Sequence, residues 1–568
     1  MANIFFEVSA IIIVSAGLAL VTKLFKQPTV LAFMLAGVLL GPVGLNILQS
    51  HDLIDVLATF GIALMLYLVG IELDLTKLKQ LNRNVLLAGF GQVLFTGLVG
   101  VLLAMALGFS VAEAWFIGVA LAFSSTIIVV KLLGEQQQLD SLHGRITVAI
   151  LLIQDFLAIV ALLLVDGFSN SGATSLPWLN LLLVLIKGVT LAGLAWVLAK
   201  FVFKKIFLFL GNSQELLFLW SIAWCLGFAA LATWWHFPIA ISVFMAGVAI
   251  ASLNYNYEIA ARIRSLRDFF IVIFFSLLGS QLVLTIEPRL LVATVVLTLF
   301  VLIGSPLIVY IILLMLGYQP RTALFAGLAL GQISEFSFIL VSAGLAHGWL
   351  NQAIVAMIAL IGLITMLISS YAITYNEQIY QRFKPLLQRL HWLRGQADAV
   401  TEYLPTKLQQ HVVIFGYYPA VEKVTNELKK QHKTVVVVDY TPENIPHIQR
   451  TGVYYIYGDM RDEDILARAH LNTAALIISI VPYSISTLAL LQYVQHFRVS
   501  ADIIVSAKQL IDVPTFYHAG ATFVLHPDSI SLAYLQSVLS RSELNKASKL
   551  HRQEIIHWLK QYGFSTAR

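Results

Sequence analysis

The sequence predicts a polytopic α-helical membrane protein of about thirteen spans, with inverted internal repeats and broken helices, followed by a C-terminal α/β Rossmann-like domain. Three observations predict it. The 568-residue chain is 59% hydrophobic and only 12% charged, with a mean hydropathy of +0.83, outside the range of soluble globular domains. Up to about residue 376 the apolar residues gather into runs of roughly 20, the length a helix needs to cross the hydrocarbon layer. From residue 411 onward, short β-branched runs alternate with helical patterns, as in a doubly wound parallel sheet.

The apolar runs place spans near 4–22, 28–46, 53–72, 84–106, 112–132, 144–166, 179–203, 214–234, 237–254, 268–283, 290–316, 321–345 and 352–376. An odd count puts the chain ends on opposite sides. With the N-terminus outside, Lys23, Lys26, Lys77, Lys79, Arg83, Lys131, Arg145, Lys200, Lys204, Lys205, Arg262, Arg264, Arg267 and Arg321 fall at cytoplasmic ends, and only Arg289 falls outside. Cationic loops resist translocation, so this asymmetry puts the C-terminus in the cytoplasm. The net charge of +5 is therefore read as topology and not as a nucleic-acid footprint. The single cysteine, Cys225, excludes an intramolecular disulfide and a cysteine metal cluster. The first 21 residues lack a basic n-region and are expected to remain as the first helix.

PTVLAFMLAGV at 28–38 recurs as PIAISVFMAGV at 238–248, a spacing of 210. Gly70 of LYLVGIEL matches Gly279 of FSLLGSQL, and Ser125 of FSSTII matches Ser334 of QISEFS, both at a spacing of 209. The second span thus pairs with the ninth, seven helices later, and the copies run in opposite senses. Inverted repeats belong to secondary transporters, whose substrate site lies near the midplane where discontinuous helices meet. The polar clusters AFSSTII (122–128) and GQISEFSF (331–338) are the expected breaks.

In the sixth span the pair Gln154–Asp155 stands alone in an apolar helix. An ionised carboxylate at that depth costs at least about 2.5 kcal/mol, so intramembrane ionisable groups read as functional. In a low dielectric the carboxylate is neutralised by a proton or by a cation, and competition for one alternately exposed group suffices for exchange. Gln154 would add a neutral oxygen ligand. Glu335, in the second expected break, is weighed between the ion path and a structural brace. Lys187 reads as snorkelling or paired at an interface, and Glu72 as interfacial. The reading is a transporter, not an enzyme.

With these residues in view, the sequence resembles the Kef-type potassium efflux members of the monovalent cation:proton antiporter superfamily, second branch. The motifs that carry it are PTVLAFMLAGVLLGP (28–42), LMLYLVGIELDL (64–75), the Gly89–Gln92 region, FSSTIIVVKLL (123–133), LLIQDFLAI (151–159) and LALGQISEFSFIL (328–340). The resemblance implies thirteen helices with crossed broken helices, a homodimer in a bacterial inner membrane, and K⁺ favoured over Na⁺ in electroneutral exchange with protons. Carried over by position, it implies ion contacts at Asp155, Gln154, Ser124, Ser125 and Thr126. Where many relatives read Gly-Lys-Pro in the eleventh span, this chain reads Gly304-Ser305-Pro306, which removes one counter-charge for the site carboxylate.

The chain is thus expected to divide into an exchanger domain (1–376), a basic amphipathic linker helix near the membrane surface (377–404), a Rossmann-like domain (405–545) and a tail (546–568). The third part resembles the TrkA-N, or RCK, domains attached to Kef-type transporters. Asp439 ends the second strand 23 residues after Gly416, where a ribose-binding acid belongs. Gly458 and Asp459 resemble that family's pair near the adenine. The phosphate loop departs from G-x-G-x-x-G, reading Gly416-Tyr417-Tyr418-Pro419-Ala420-Val421. Side chains there obstruct a dinucleotide and Pro419 removes a donor, leaving AMP or another mononucleotide, or no nucleotide. The competing class is a ligand-gated potassium efflux channel without strict proton coupling, against which the absence of a TVGYG filter counts.

Overall fold

The computed structural model describes residues 4–25, 27–48, 51–72, 83–139, 141–169, 177–203, 206, 213–251, 256–280, 287–389, 402–405, 408–418, 421–441 and 444–540. Lys26, Lys77, Lys79, Lys204, Lys205, Pro419 and the tail from 546 lie outside the described residues. The chain divides near Gln396 into two compact units.

The first unit is all helix: α1 Ile4–Leu24, α2 Thr29–Leu40, α3 His51–Glu72, α4 Arg83–Ala106, α5 Val111–Ala122, α6 Thr126–Glu135, α7 Leu142–Ser169, α8 Pro177–Leu198, α9 Gln214–Trp234, α10 Ile239–Ile250, α11 Asn256–Ser280, α12 Pro288–Leu299, α13 Ser305–Met315, α14 Pro320–Ala329, α15 Glu335–Ala346, α16 Gln352–Thr374 and α17 Asn376–Arg389. Each predicted span falls on one of these helices or on a pair of half-helices. Among the described residues, eight stretches are long and apolar enough to cross a membrane, Val111–Glu135 among them, and four shorter apolar helices accompany them.

The repeat is visible as a two-fold exchange of partners. α2 packs on α11 and α3 packs on α10. Glycine permits both crossings: a Cβ on Gly37 would overlap Ser276 O and one on Gly247 would overlap Tyr67 O, while Gly279 meets Met34 O and Gly70 meets Phe244 O in the same way. Gly37 and Gly247 are 210 apart and Gly70 and Gly279 are 209 apart, so equivalent glycines make equivalent contacts. Small residues let backbones touch where lipid provides no hydrophobic drive between helices. Pro28 and Pro238 stand just before α2 and α10 with φ −60° and −57°, tolerated because a helix start needs no amide donor.

Three elements depart from the sequence expectation. α11 begins at Asn256, twelve residues before the predicted 268, because Ile259 and Ile263 are fully buried while Arg262 and Arg264 remain exposed. That is a surface helix by its period, invisible to a hydropathy window. The seventh and eleventh spans each contain a π-helical turn, Ala199–Phe203 after α8 and Phe300–Gly304 before α13. Pro306 lacks the amide that would bond the Phe300–Gly304 turn in α-helical register. The linker helix α17 seats one face, with Tyr380 and Leu387 buried and Tyr310 donating to Leu387 O at 3.3 Å. Its first turn holds Arg321 of α14 through Glu377 at 2.6 Å.

The second unit is a seven-stranded sheet of order β1-β4-β3-β2-β5-β6-β7: β1 Glu402–Tyr403, β2 His411–Phe415, β3 Val435–Asp439, β4 Tyr454–Tyr457, β5 Ala474–Ser479, β6 Asp502–Ser506 and β7 Phe523–Leu525. All pairs are parallel except β1 with β4. Helices α18 Val421–Lys430, α19 Ile445–Thr451, α20 Glu463–Arg468, α21 Ser484–His496, α22 Asp512–His518 and α23 Pro527–Ser540 intervene or follow. Alternate strand residues point to opposite faces: Val413, Phe415, Val436 and Val438 pack with Ile465, Leu490 and Phe516, whereas Val412, Ile414, Val435 and Val437 pack with Val421, Ile445 and Ile448.

Candidate ion site at two crossed helix breaks

The chain between α5 and α6, and between α14 and α15, leaves helical geometry at Phe123–Ser125 and at Leu330–Ser334. Each break ends in a serine that caps the next half-helix. Ser125 Oγ accepts from Ile128 N at 3.3 Å and Ser334 Oγ accepts from Phe336 N at 3.2 Å, as serines do at N-caps. The breaks lie against each other. Ser124 Oγ donates to Leu330 O at 2.8 Å, Ser125 Oγ to Glu335 Oε1 at 2.7 Å and Ser337 Oγ to Ala120 O at 2.5 Å. Gln332 accepts from Ser369 Oγ at 2.7 Å and reaches Ser125 O at 3.5 Å. Two helix C-termini and two N-termini therefore converge, presenting partial charges of both signs.

Asp155 of α7 faces the first break. It is 3% exposed, and Thr126 Oγ1 donates to its Oδ2 and Oδ1 at 3.1 and 3.2 Å. Glu335, also 3% exposed, takes the same place in the second half-helix that Thr126 takes in the first, 209 residues on. It accepts from Ser125 and, at 3.3 Å, from Ser334 Oγ. Among the described residues neither carboxylate has a basic partner within 4.0 Å. Ser124, Ser125, Thr126, Gln154, Asp155 and Glu335 are thus brought together. Lys187 donates to Trp235 O at 3.0 Å at the end of α9, and Glu72 pairs with Arg264 at 2.7 Å. Ser305, 2% exposed, begins α13.

Two residues of this cluster went unassigned in the sequence: Gln92 of α4, 1% exposed, and Gln332. Gln92 accepts from Gln154 Nε2 at 2.6 Å and donates to Ala122 O at 3.0 Å. Both lay in stretches the sequence had singled out, Gln92 in the Gly89–Gln92 motif and Gln332 in the expected break at 331–338, but nothing there gave either amide a role.

In the second unit, Gly416 keeps a left-handed φ of +89° after β2, as a phosphate loop would require. The other expected contacts are engaged within the chain. Asp439 Oδ2 accepts from Tyr417 N at 2.7 Å, and its Oδ1 accepts from Thr441 N at 2.6 Å and Asn444 Nδ2 at 3.2 Å. Burial pushes the Asp439 carboxyl above its usual range, and these donors offset only part of the rise. Asp459 is held by Arg461, 2.8 Å from Nη2 and 3.2 Å from Nε. Gly458 makes room for Ile465, whose Cδ1 would lie 2.4 Å from an added Cβ.

The family model described as "Sodium/hydrogen exchanger, transmembrane" matches residues 10–375. The chain belongs to the sodium/hydrogen exchanger family. It is a family of transporters, and this exchanger carries a TrkA-N domain matched over residues 412–527. A protein of Alkalimonas amylolytica named K(+) efflux antiporter KefB is 28% identical over 89% of this chain and 76% of its own length. The cation/proton antiporter YbaL of Escherichia coli is 26% identical over 82% of this chain and 84% of its own. The Kef-type resemblance of the motifs thus extends along the exchanger and its attached domain. Among solved structures, the sodium proton antiporter MjNhaP1 of Methanocaldococcus jannaschii aligns with 66% of this chain and 98% of its own at 16% identity and a TM-score of 0.48. The TrkA-N domain of E. coli YbaL aligns at 19% identity over 24% of this chain and 99% of its own, with a TM-score of 0.23.

The residues present do not fit a dinucleotide in this exchanger's TrkA-N domain. Tyr418 stands where the second glycine would admit a pyrophosphate, and both acids expected to meet ribose and adenine are satisfied by the chain's own amides and guanidinium.

Proposed function

We propose that the protein exchanges a monovalent cation, K⁺ in preference to Na⁺, for a proton at Asp155, one charge for one charge, and works as a homodimer in a bacterial inner membrane. The observation that carries this is a buried carboxylate that has no basic partner among the described residues, facing a helix break whose hydroxyl and N-terminal dipole help hold its negative charge. A proton or a cation neutralises Asp155 equally well in charge, so the loaded site can reorient with either and is held when empty. Thr126 orients the carboxylate. Glu335, bound by two serines at the start of α15, braces the second break and stays in one protonation state through the cycle. Ser305, where many relatives carry lysine in the eleventh span, removes one cation that could fill the site in place of the substrate.

The cytoplasmic domain restrains transport, with the N-terminus outside and the C-terminus inside as the charge distribution indicates. The linker helix α17 supports this: its first turn grips Arg321 at the start of α14, which leads to the second break. No step is routed through AMP or another nucleotide. The test is transport in proteoliposomes with K⁺, Na⁺ and Li⁺ while internal pH and membrane potential are followed. Exchange that needs both ions and leaves the potential unchanged is expected. Cation flux without proton flux would instead identify a ligand-gated channel.

A further inference from the structure

We infer that Gln92 is a positioning residue of the exchange site, acting through Gln154 to hold the first break and, with it, Asp155. The inference rests on the reading of Asp155 as the exchanging group. Its ground is the direction of one hydrogen-bond chain. Ser124 N can only donate, and it reaches Gln154 Oε1 at 2.9 Å. Gln154 Nε2 therefore points the other way and donates to Gln92 Oε1 at 2.6 Å. That leaves Gln92 Nε2 for Ala122 O at 3.0 Å and Thr96 Oγ1 at 3.3 Å. A backbone donor fixes one end and a backbone acceptor the other, so neither amide can flip without setting donor against donor.

The two backbone groups at the ends of this chain are those the break frees: the last carbonyl of α5 and an amide ahead of α6. The paired glutamines replace the lost helical bonds inside a buried site, where unmet groups are costly. Gln154 precedes Asp155 on α7, so the same chain fixes how α7 is rotated against Thr126. Gly89, one turn before Gln92, lets α7 come this close, since a Cβ there would stand 2.6 Å from Ile153 Cδ1.

Position 92 must donate and accept at once, and this sets the test. A protonated glutamic acid can accept from Gln154 and donate to Ala122 O, whereas its ionised form has no donor. Among the described residues, the other ionisable groups on elements packed against α4 are Glu113 of α5, bonded to Ser110 N, Arg289 of α12, bonded to Leu107 O, Tyr310 of α13, bonded to Leu387 O, and, on α7, Asp155 itself with His143 and Arg145 in the first turn; Glu335 lies across the break. Transport is measured in proteoliposomes across pH for the full-length wild type, Gln92→Glu, Gln92→Leu and Asp155→Asn, with folding checked by thermal stability. Gln92→Leu should raise the cation KM about tenfold at every pH, the scale of one unmet buried group, with kcat less affected. Gln92→Glu should match the wild type in acid and lose affinity as pH rises. A wild-type KM and pH profile in Gln92→Leu, or equal impairment of both variants at all pH, would overturn the inference. If Gln92→Leu does not fold, the pH dependence of Gln92→Glu decides alone. Exchange surviving in Asp155→Asn would overturn the site reading instead.

Discussion

Asp155 and Glu335 are equally buried and sit at opposed breaks, yet their surroundings differ. Glu335 lies among serine hydroxyls at the start of its own half-helix, whereas Asp155 reaches its break from another helix and, among the described residues, is hydrogen-bonded by Thr126 alone. Asp155→Asn should therefore abolish cation binding and proton exchange together, read as loss of cation-dependent pH change in liposomes. Glu335→Gln should keep cation-linked proton flux, and its complete loss at every pH would reverse the two roles. A third residue-scale expectation concerns His411 of β2, fully buried, whose Nε2 bonds Ala469 O at 2.9 Å while Nδ1 has no partner among the described residues. Burial holds this imidazole below its usual value of 6.5. The unfolded chain then takes up the proton first, so the stability from neutral His411 is complete above pH 6.5 and is lost as pH falls below it. The protection of the β2 amides against hydrogen exchange, taken relative to the intrinsic rate at each pH, should fall in acid, and His411→Gln should flatten that response. The burial of Asp155 beside a helix break is what a lone carboxylate at mid-span led the sequence to expect. The contacts of Gln92 were not legible there, since its partners are a side chain 62 residues away and a carbonyl that becomes available only once the helix is broken.

The breaks announced themselves as clusters of serine, threonine and glutamine, since hydroxyls and amides are what a membrane-buried chain needs once its own ladder stops. The π-helical turns carried no comparable signal, and α11 was cut short because its amphipathic first half reads as loop to any measure of bulk apolarity. At this scale the glycine crossings make a sharp expectation. Gly37→Ala or Gly247→Ala should destabilise the protein by about 1–3 kcal/mol, the cost of overpacking a closed contact. Gly17→Ala, where an added Cβ meets nothing within 4 Å, serves as the control. Thermal unfolding in detergent distinguishes them. The pairing of α17 with α14 makes another: Arg321→Glu should release part of the restraint on transport, and the double variant Arg321→Glu with Glu377→Arg should restore it.

For the whole molecule, deleting residues 405–568 should raise basal transport, and unaltered transport would remove the regulatory role from the attached domain. The two-part architecture and the sheet of the second unit were legible from composition and from alternating strand and helix patterns. How the repeats interlock was not, because recurring Gly and Ala show that helices touch but not which ones. The exchange of partners, α2 with α11 and α3 with α10, also governs how the chain is made. The surfaces that Gly37 and Gly70 offer to their partners are completed only by helices that follow about 200 residues later in synthesis. At about 5–20 residues per second, α2 and α3 wait in the bilayer for roughly 10–40 s with those surfaces covered by lipid or by the insertion machinery. This crossing cannot form in the order it is translated; it closes late, when the second copy of the repeat arrives to thread itself through the first.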